Sequence, residues 1–502
     1  METACAFRWW VALAVGVRLL MAAWLPVTGD EAYFFLWAEH PDYGYYDHPP
    51  MVAWWLWALK SIGSSEWILR LPAVAVPLLV AWLLYRFIQP YGVERARLLA
   101  LLFLFLPLTL VAPITTTDTP LILFSFLSIL ALGHAWRVDS QPWYAVAGLL
   151  LGLAFLSKYF AVLLGLAYLT AFLFTAEGRR RWKGLLVLVL AAAPAVLVNV
   201  AWNYSHCWSN ILFNLFNRNV ESGFSIDKPL LYLLVHLYLL TPPVVYYLFR
   251  NRRELRRRMG ESEFRIAAFS AWVPLLVLGA IALRREVGLH WVLAFYPPLF
   301  LLVGIALRIT QLRKATRFMI GFAGLHLVAV IALLTLPTTV WREAKLYDDI
   351  VFLKHSDEVA MAVSEVAGDL PLFTTSYTPS AILAHRLGRP VGVMGVGSRY
   401  ARQDDILTDF RQLEGKAVAI LVKADQELAD FDDDFERLET QPIEVRGARF
   451  LLVKGYSFDL AAYRRRVLAV VRDRCYRIPG FLPAGRCGFL ERYFPATETG
   501  RE

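Results

Sequence analysis

Between Gly29 and Pro50 the chain reads GDEAYFFLWAEHPDYGYYDHPP, with five carboxylates (Asp30, Glu31, Glu39, Asp42, Asp47), two histidines, seven aromatics and no Lys or Arg. Acids gathered without a basic partner repel one another, so such a cluster suits a general base or the reception of a cation or hydrogen-bond donor. Four later segments carry polar groups within apolar surroundings. Asp118 lies in LVAPITTTDTPLILF, and Lys158 with its neighbour Tyr159 lies in GLAFLSKYFAVLL. His206 and Arg218 lie in WNYSHCWSNILFNLFNRN, and Arg284, Arg285 and His290 lie in RREVGLHWVLAFYPP. A lysine inside an apolar run costs a few kcal/mol unless it reaches water or an anion. Guanidinium and ammonium groups together suit a phosphate, which Arg holds bidentately. Simpler uses of the same residues stay open: a solvated acidic loop, an aromatic belt, Asp118 as a helix N-cap before Pro120, and Lys158 snorkelling to the interface.

The elements that must position these residues follow from composition. The chain has 502 residues, 58% hydrophobic and 19% charged, beyond an ordinary soluble core. Its repeated apolar runs have the length of bilayer-spanning helices. Eleven are expected, at 8–27, 67–88, 97–113, 119–136, 143–157, 159–175, 184–201, 229–249, 266–283, 290–307 and 318–336. The first follows a short head with one Arg and no small-residue cleavage site, so it reads as a retained helix. With the N-terminus in the cytoplasm, the inside loops carry nineteen Lys and Arg against six outside. The formal net charge of +9 is then mainly a topology signal, and no nucleic-acid partner is expected from RNRRELRRRMG. This places the loops 28–66, 114–118, 202–228 and 284–289 on the outer face, where carboxylates, cations and histidines gather around a lipid-phosphate substrate.

The expected domains are a membrane part, 1–337, and an outer α/β domain, 338–502. In the latter, KLYDDIVFLKHSDEVAMAVSEVAG reads as a helix, and PLFTTS, PVGVMG, AVAILVKA and ARFLLVKG read as buried strands. Cys475 and Cys487 flank a Pro/Gly turn in RCYRIPGFLPAGRC, a spacing that favours a disulfide in an oxidising compartment. Cys5 and Cys207 show no mutual partner. The sequence holds no GxxxxGK[ST], HExxH or CxxC, and the glycines of GVMGVGSRY make a loop rather than a dinucleotide fingerprint.

GDEAYFFLW…GYYDHPPMVAW, TTTDTPLILF, GLAFLSKYFAVLL, WNYSHCWSN and LHWVLAFYPP, in this order, resemble the bacterial GT-C glycosyltransferases. Within them the chain looks most like the aminoarabinose and galacturonic acid transferases of lipid A, related to the protein O-mannosyltransferases. The resemblance implies a GT-C membrane fold and a polyprenyl-phosphate-linked sugar donor, used on the outer face of the bacterial inner membrane with inversion. It implies Asp30 as the catalytic carboxylate with Glu31 beside it, and Asp118 as the second-loop acid. It sets Asp47 and His48 where the family has an acid beside a basic residue, and Lys158 at the donor phosphate. His48 replaces a lysine of the aminoarabinose branch, and the outer domain is shorter than in relatives with further C-terminal helices. The acceptor is lipid A, another envelope glycan or a protein. Neither a nucleotide-sugar nor an organic cofactor is called for, and a divalent metal stays compatible.

Two other classes compete. A transporter or flippase calls for polar groups at mid-bilayer and an internal repeat, whereas the informative polar residues collect on one side. A structural assembly protein leaves the acidic loop unexplained.

Overall fold

The computed structural model describes residues 4–217, 223, 225–398, 400, 402–423, 431–483 and 485–495. The chain divides into two compact units. One comprises Met1–Leu25, Ala58–Val198 and Ser222–Leu333, and the other Pro26–Trp57, Asn199–Glu221 and Leu334–Glu502.

The first unit is helical. Each of the eleven apolar runs falls on helix. Among the described residues, seven helices are long and apolar enough to cross a bilayer: Ala4–Trp24, Glu66–Tyr91, Asp118–Val138, Trp182–Ser205, Phe264–Ala282, Leu289–Ala306 and Ile309–Thr335. Asp227–Leu240 and Pro242–Arg250 make an eighth only as a pair bent by 94°. The bend falls at Thr241, held at φ 67°. Pro242 denies it the helical region and Pro243 follows without an N–H. Gln141–Ser157 and Ala161–Phe174 are shorter. The run at 97–113 breaks at Leu106, in extended backbone before Pro107. The multi-pass character therefore holds, and among the described residues seven helices, or eight with the bent pair counted as one, are long enough for a full crossing.

With no water in a bilayer core, buried polar groups must find partners inside the protein. Arg18 donates to the carbonyls of Ala14 (3.1 Å) and Leu104 (2.5 Å). Arg70 donates to those of Ala22 (2.9 Å) and Leu25 (2.8 Å). Close helix approach is supplied by Gly148 and Gly152, four apart on one face. A Cβ at Gly148 would meet the Leu188 carbonyl at 2.2 Å, and one at Gly152 the Ala195 Cβ at 2.9 Å.

The second unit is built on a five-stranded sheet: β1 (Leu372–Thr374), β2 (Val391–Val393), β3 (Val418–Lys423), β4 (Phe435–Val445) and β5 (Ala448–Phe458), in the order β2-β1-β3-β5-β4. β1 pairs parallel with both β2 and β3, and β5 runs antiparallel to β3 and β4. Arg446 and Gly447, both at positive φ, make the two-residue turn of the β4–β5 hairpin. Four of these strands are the four apolar runs read from the sequence. β4 was not anticipated: it is an edge strand with Pro442 and exposed charges, which breaks the apolar signal. The helix expected over 345–368 is two, Tyr347–Lys354 and Ser356–Ala367, separated at His355.

Strand alternation sends Leu372, Ala419, Leu421 and Leu452 into a core with Val359, Val363 and Leu383 from the flanking helices. The opposite face sends Phe373, Ile420, Val422 and Val453 into a second core with Tyr463, Val467 and Val471. Tyr46, Cys207 and Phe213 also enter this second core. The acidic segment and the segment around His206 are thus part of the α/β unit. A disulfide between Cys207 and Cys487 ties them across 280 residues, and Cys475 is a buried free thiol. This corrects the expected Cys475–Cys487 pairing. Cys475 ends the Ala469–Cys475 helix inside the apolar core, whereas Cys487 sits beside the chain entering Ser209–Leu215, where Cys207 N–H donates to the Arg486 carbonyl (3.0 Å).

Candidate active site

Thr28 and Glu31 form a capping box at the start of the Gly29–Trp37 helix. The Thr28 hydroxyl accepts from Glu31 N–H and the Glu31 carboxylate accepts from Thr28 N–H, each at 3.3 Å. Glu31 is accordingly buried, and its carboxylate is occupied with local backbone. Asp30, one residue earlier on the turn, is exposed. Its Oδ1 accepts a hydrogen bond from the Tyr377 hydroxyl at 2.9 Å. Oδ2 carries no hydrogen bond among the described residues. Gly29 permits this contact, since a Cβ there would lie 2.2 Å from the Thr378 methyl.

Asp47 is buried in the same unit and accepts at Oδ1 from the Tyr33 hydroxyl (3.3 Å). Tyr33 also accepts from Gln403 N–H (3.2 Å), and Gln403 Oε1 accepts from Tyr46 N–H (2.9 Å). Burial first, then Asp47, hold the Tyr33 phenol well above its ordinary range, so it remains a donor. Asn214 donates to the Asp47 carbonyl (3.0 Å) and Asn210 to that of Tyr45 (2.8 Å). These residues, four apart on the Ser209–Leu215 helix, pin the YYDHPP turn. His48 lies 4.0 Å from the Asp47 carboxylate. Burial, with Asp405 beside it, pushes the Asp404 carboxyl up to about 7. His206 stacks on Trp202 at 4.3 Å and stands 3.9 Å from Asp42, which accepts from Trp202 Nε1 (3.0 Å).

In the helical unit, Asp118 opens Asp118–Val138 and Lys158 follows Gln141–Ser157 in extended backbone. Lys158 Nζ donates to both Asp118 oxygens, at 2.7 and 2.9 Å, and both side chains are buried. Thr117, not Asp118, occupies the N-cap position, so the Asp118 carboxylate is committed to the lysine. Nζ also lies 5.3 Å over the Phe160 ring. Phe160 contacts Trp291 at 4.8 Å, which brings the Leu289–Phe295 turn and the neighbouring His290 to this end of the unit. Tyr159 is half-buried with its ring 5.3 Å from Phe155. Arg284 is exposed and Arg285 half-buried just beyond Ser262–Ala282, with Lys228 donating to the Arg284 carbonyl (2.8 Å). Arg218 lies outside the described residues.

Two groups of the expected residues are thus each drawn together within a unit: Asp30 and Asp47 with their tyrosines, and Asp118 with Lys158. Tyr33, Tyr377, Gln403 and Asp404 were not among the expected residues. A signal for Tyr377 and Gln403 existed. In open α/β sheets, sites lie beyond the carboxyl ends of parallel strands where strand order reverses. β1, flanked by β2 and β3, is that point, and Tyr377 and the segment up to Gln403 follow β1 and β2. Among the described residues, no three His, Cys, Asp or Glu side chains group to hold a metal ion.

Comparison with known proteins matches residues 47–203 to the family described as dolichyl-phosphate-mannose-protein mannosyltransferase. The chain is 26% identical over 290 residues to the lipid A galacturonosyltransferase RgtD of Rhizobium johnstonii (strain DSM 114642 / LMG 32736 / 3841), spanning 53% of this chain and 58% of that relative. Crystal structures of ArnT from Cupriavidus metallidurans, apo and bound to undecaprenyl phosphate, share the fold with TM-scores of 0.65 and 0.62 at 16% and 15% identity. Each covers 90% of this chain and 98% of the ArnT chain. In helix composition and fold this is a multi-pass membrane protein that shares the fold of ArnT, with a small α/β sheet toward its C-terminus.

Proposed function

We propose that the chain is a glycosyltransferase moving a sugar from a polyprenyl-phosphate-linked donor to an outer-face acceptor, lipid A or another envelope glycan, with inversion. The observation that carries this reading is the exposed Asp30 carboxylate, fixed at Oδ1 and open at Oδ2. The similarity to RgtD and to an ArnT structure holding undecaprenyl phosphate supports both the acceptor class and the donor class.

A sugar on a lipid phosphate already has a good leaving group, so alignment and charge stabilisation suffice. The bond from the anomeric carbon to the donor phosphate breaks, the phosphate keeping the electron pair, as the acceptor oxygen bonds from the opposite face. With a hydroxyl acceptor, the proton passes to Asp30 Oδ2. With a phosphate acceptor no proton need move, and Asp30 orients the acceptor and stabilises positive charge on the sugar. Lys158, Arg218, Arg284 and Arg285 neutralise the departing phosphate, and Asp118 holds Lys158. Asp47, His48 and His206 shape the acceptor side, while Tyr159 and His290 flank the donor. Glu31 serves by capping the turn that presents Asp30. The protein lies in the bacterial inner membrane, N-terminus inside and 338–502 in the periplasm; a C-terminal phosphatase fusion is then active and a fluorescent fusion that folds only in the cytoplasm is dark.

The mannosyltransferase description of the family over 47–203 favours a second reading, transfer to a protein hydroxyl. The test is purified chain in detergent with polyprenyl-phosphate sugars and two acceptors, lipid A and a Ser/Thr peptide, read by mass spectrometry. Glycosylated lipid A supports the first reading and glycosylated peptide the second. Consumption of no polyprenyl-phosphate sugar refutes both.

A further inference from the structure

Tyr377 is the first residue of the Tyr377–Leu387 helix, directly after β1. Its ring packs edge-on against Tyr33, with centroids 5.4 Å apart. Its hydroxyl donates to Asp30 Oδ1 at 2.9 Å across 347 residues of sequence. Tyr33 in turn donates to Asp47. The two acids assigned to the acceptor side are thus each held by a phenol, and the two phenols touch. Burial first, then Asp30, raise the Tyr377 phenol above its ordinary range, so it stays protonated and donating at neutral pH.

We propose that Tyr377 is a positioning residue for Asp30, through which the C-terminal part of the chain sets the working geometry of the acid. One charge-assisted hydrogen bond at Oδ1 selects a single carboxylate orientation and leaves Oδ2 for the acceptor. An exposed Asp without it samples several rotamers, most of them pointing Oδ2 away from the acceptor. This rests on the reading of Asp30 given above.

The test compares full-length variants in the transfer assay, with thermal unfolding recorded for each. Tyr377→Phe keeps the ring and its packing and removes only the donor. The expected result is a kcat reduced on the order of tenfold with donor KM unchanged. Because the hydroxyl acts through Asp30, Tyr377→Phe adds no loss in an Asp30→Asn background. A merely structural tyrosine gives the same fractional loss in both backgrounds, and that outcome overturns the proposal. Tyr377→His, which returns a ring N–H donor, is expected to recover part of the loss; equal activity of the Phe and His variants also overturns it. Wild-type kcat in Tyr377→Phe beside an inactive Asp30→Asn rejects Tyr377 and leaves the functional reading standing. Full activity of Asp30→Asn rejects both.

Discussion

Removing one partner of the Asp118–Lys158 pair is expected to damage stability and function in separable ways. Both side chains are under 10% exposed, and Lys158 Nζ reaches both carboxylate oxygens within hydrogen-bond distance. Lys158→Met leaves Asp118 buried without its cation, and Asp118→Leu leaves Lys158 without its anion. Breaking a buried pair from one side costs about 3–5 kcal/mol, because the surviving charge stays desolvated. Replacing both partners by apolar residues of similar size costs little or stabilises, since neither charge then needs solvation. The double variant Asp118→Leu/Lys158→Met is therefore expected to unfold near the wild-type temperature, well above either single variant. Transfer activity follows a different order. If Lys158 receives the donor phosphate, the double variant is folded and inactive, with donor affinity lost. Tryptophan fluorescence during heating in detergent reads the first quantity, and donor titration in the transfer assay reads the second. A Lys158→Met protein as stable as wild type contradicts the buried pair. A stable double variant with full transfer shows that the pair is structural only.

Non-reducing peptide mapping should recover Cys207 linked to Cys487 and Cys475 as a free thiol, and Cys207→Ser should lower stability by about 2–4 kcal/mol. Recovery of a Cys475–Cys487 peptide refutes the assignment. Folding raises the Asp404 carboxyl from 3.8 to about 7, so the native state binds more protons than the unfolded one between those values. Stability from this group is then present at acid pH and lost as pH rises through about 7. Asp404→Asn should flatten that decline in a thermal-unfolding series; an unchanged slope rules it out.

Much of the fold was legible because bilayer and core impose local rules. Every apolar run became helix, and β1, β2, β3 and β5 fell on the four apolar stretches. That Lys158 must reach water or an anion was legible, but its pairing with Asp118, forty residues away, was not anticipated. What escaped depended on distant partners. Cys207 and Cys487 meet across 280 residues, and no spacing rule reaches that far. Tyr377 meets Asp30 through the packing of Gly29 on Thr378, which neither segment states alone. The division of labour between Asp30 and Glu31 was local and readable: Thr28 three residues before Glu31 is a capping box, which commits one acid to backbone and turns the other outward.

In the proposed reaction Asp30 acts directly on the transferring sugar or its acceptor. The most direct test of this is turnover of purified, folded Asp30→Asn with a polyprenyl-phosphate sugar and its acceptor. The substitution keeps size and hydrogen-bonding capacity, including acceptance from Tyr377, and removes charge and basicity. Turnover should fall by about 10²-fold or more with donor affinity little changed. Near-wild-type turnover by that variant would contradict the account.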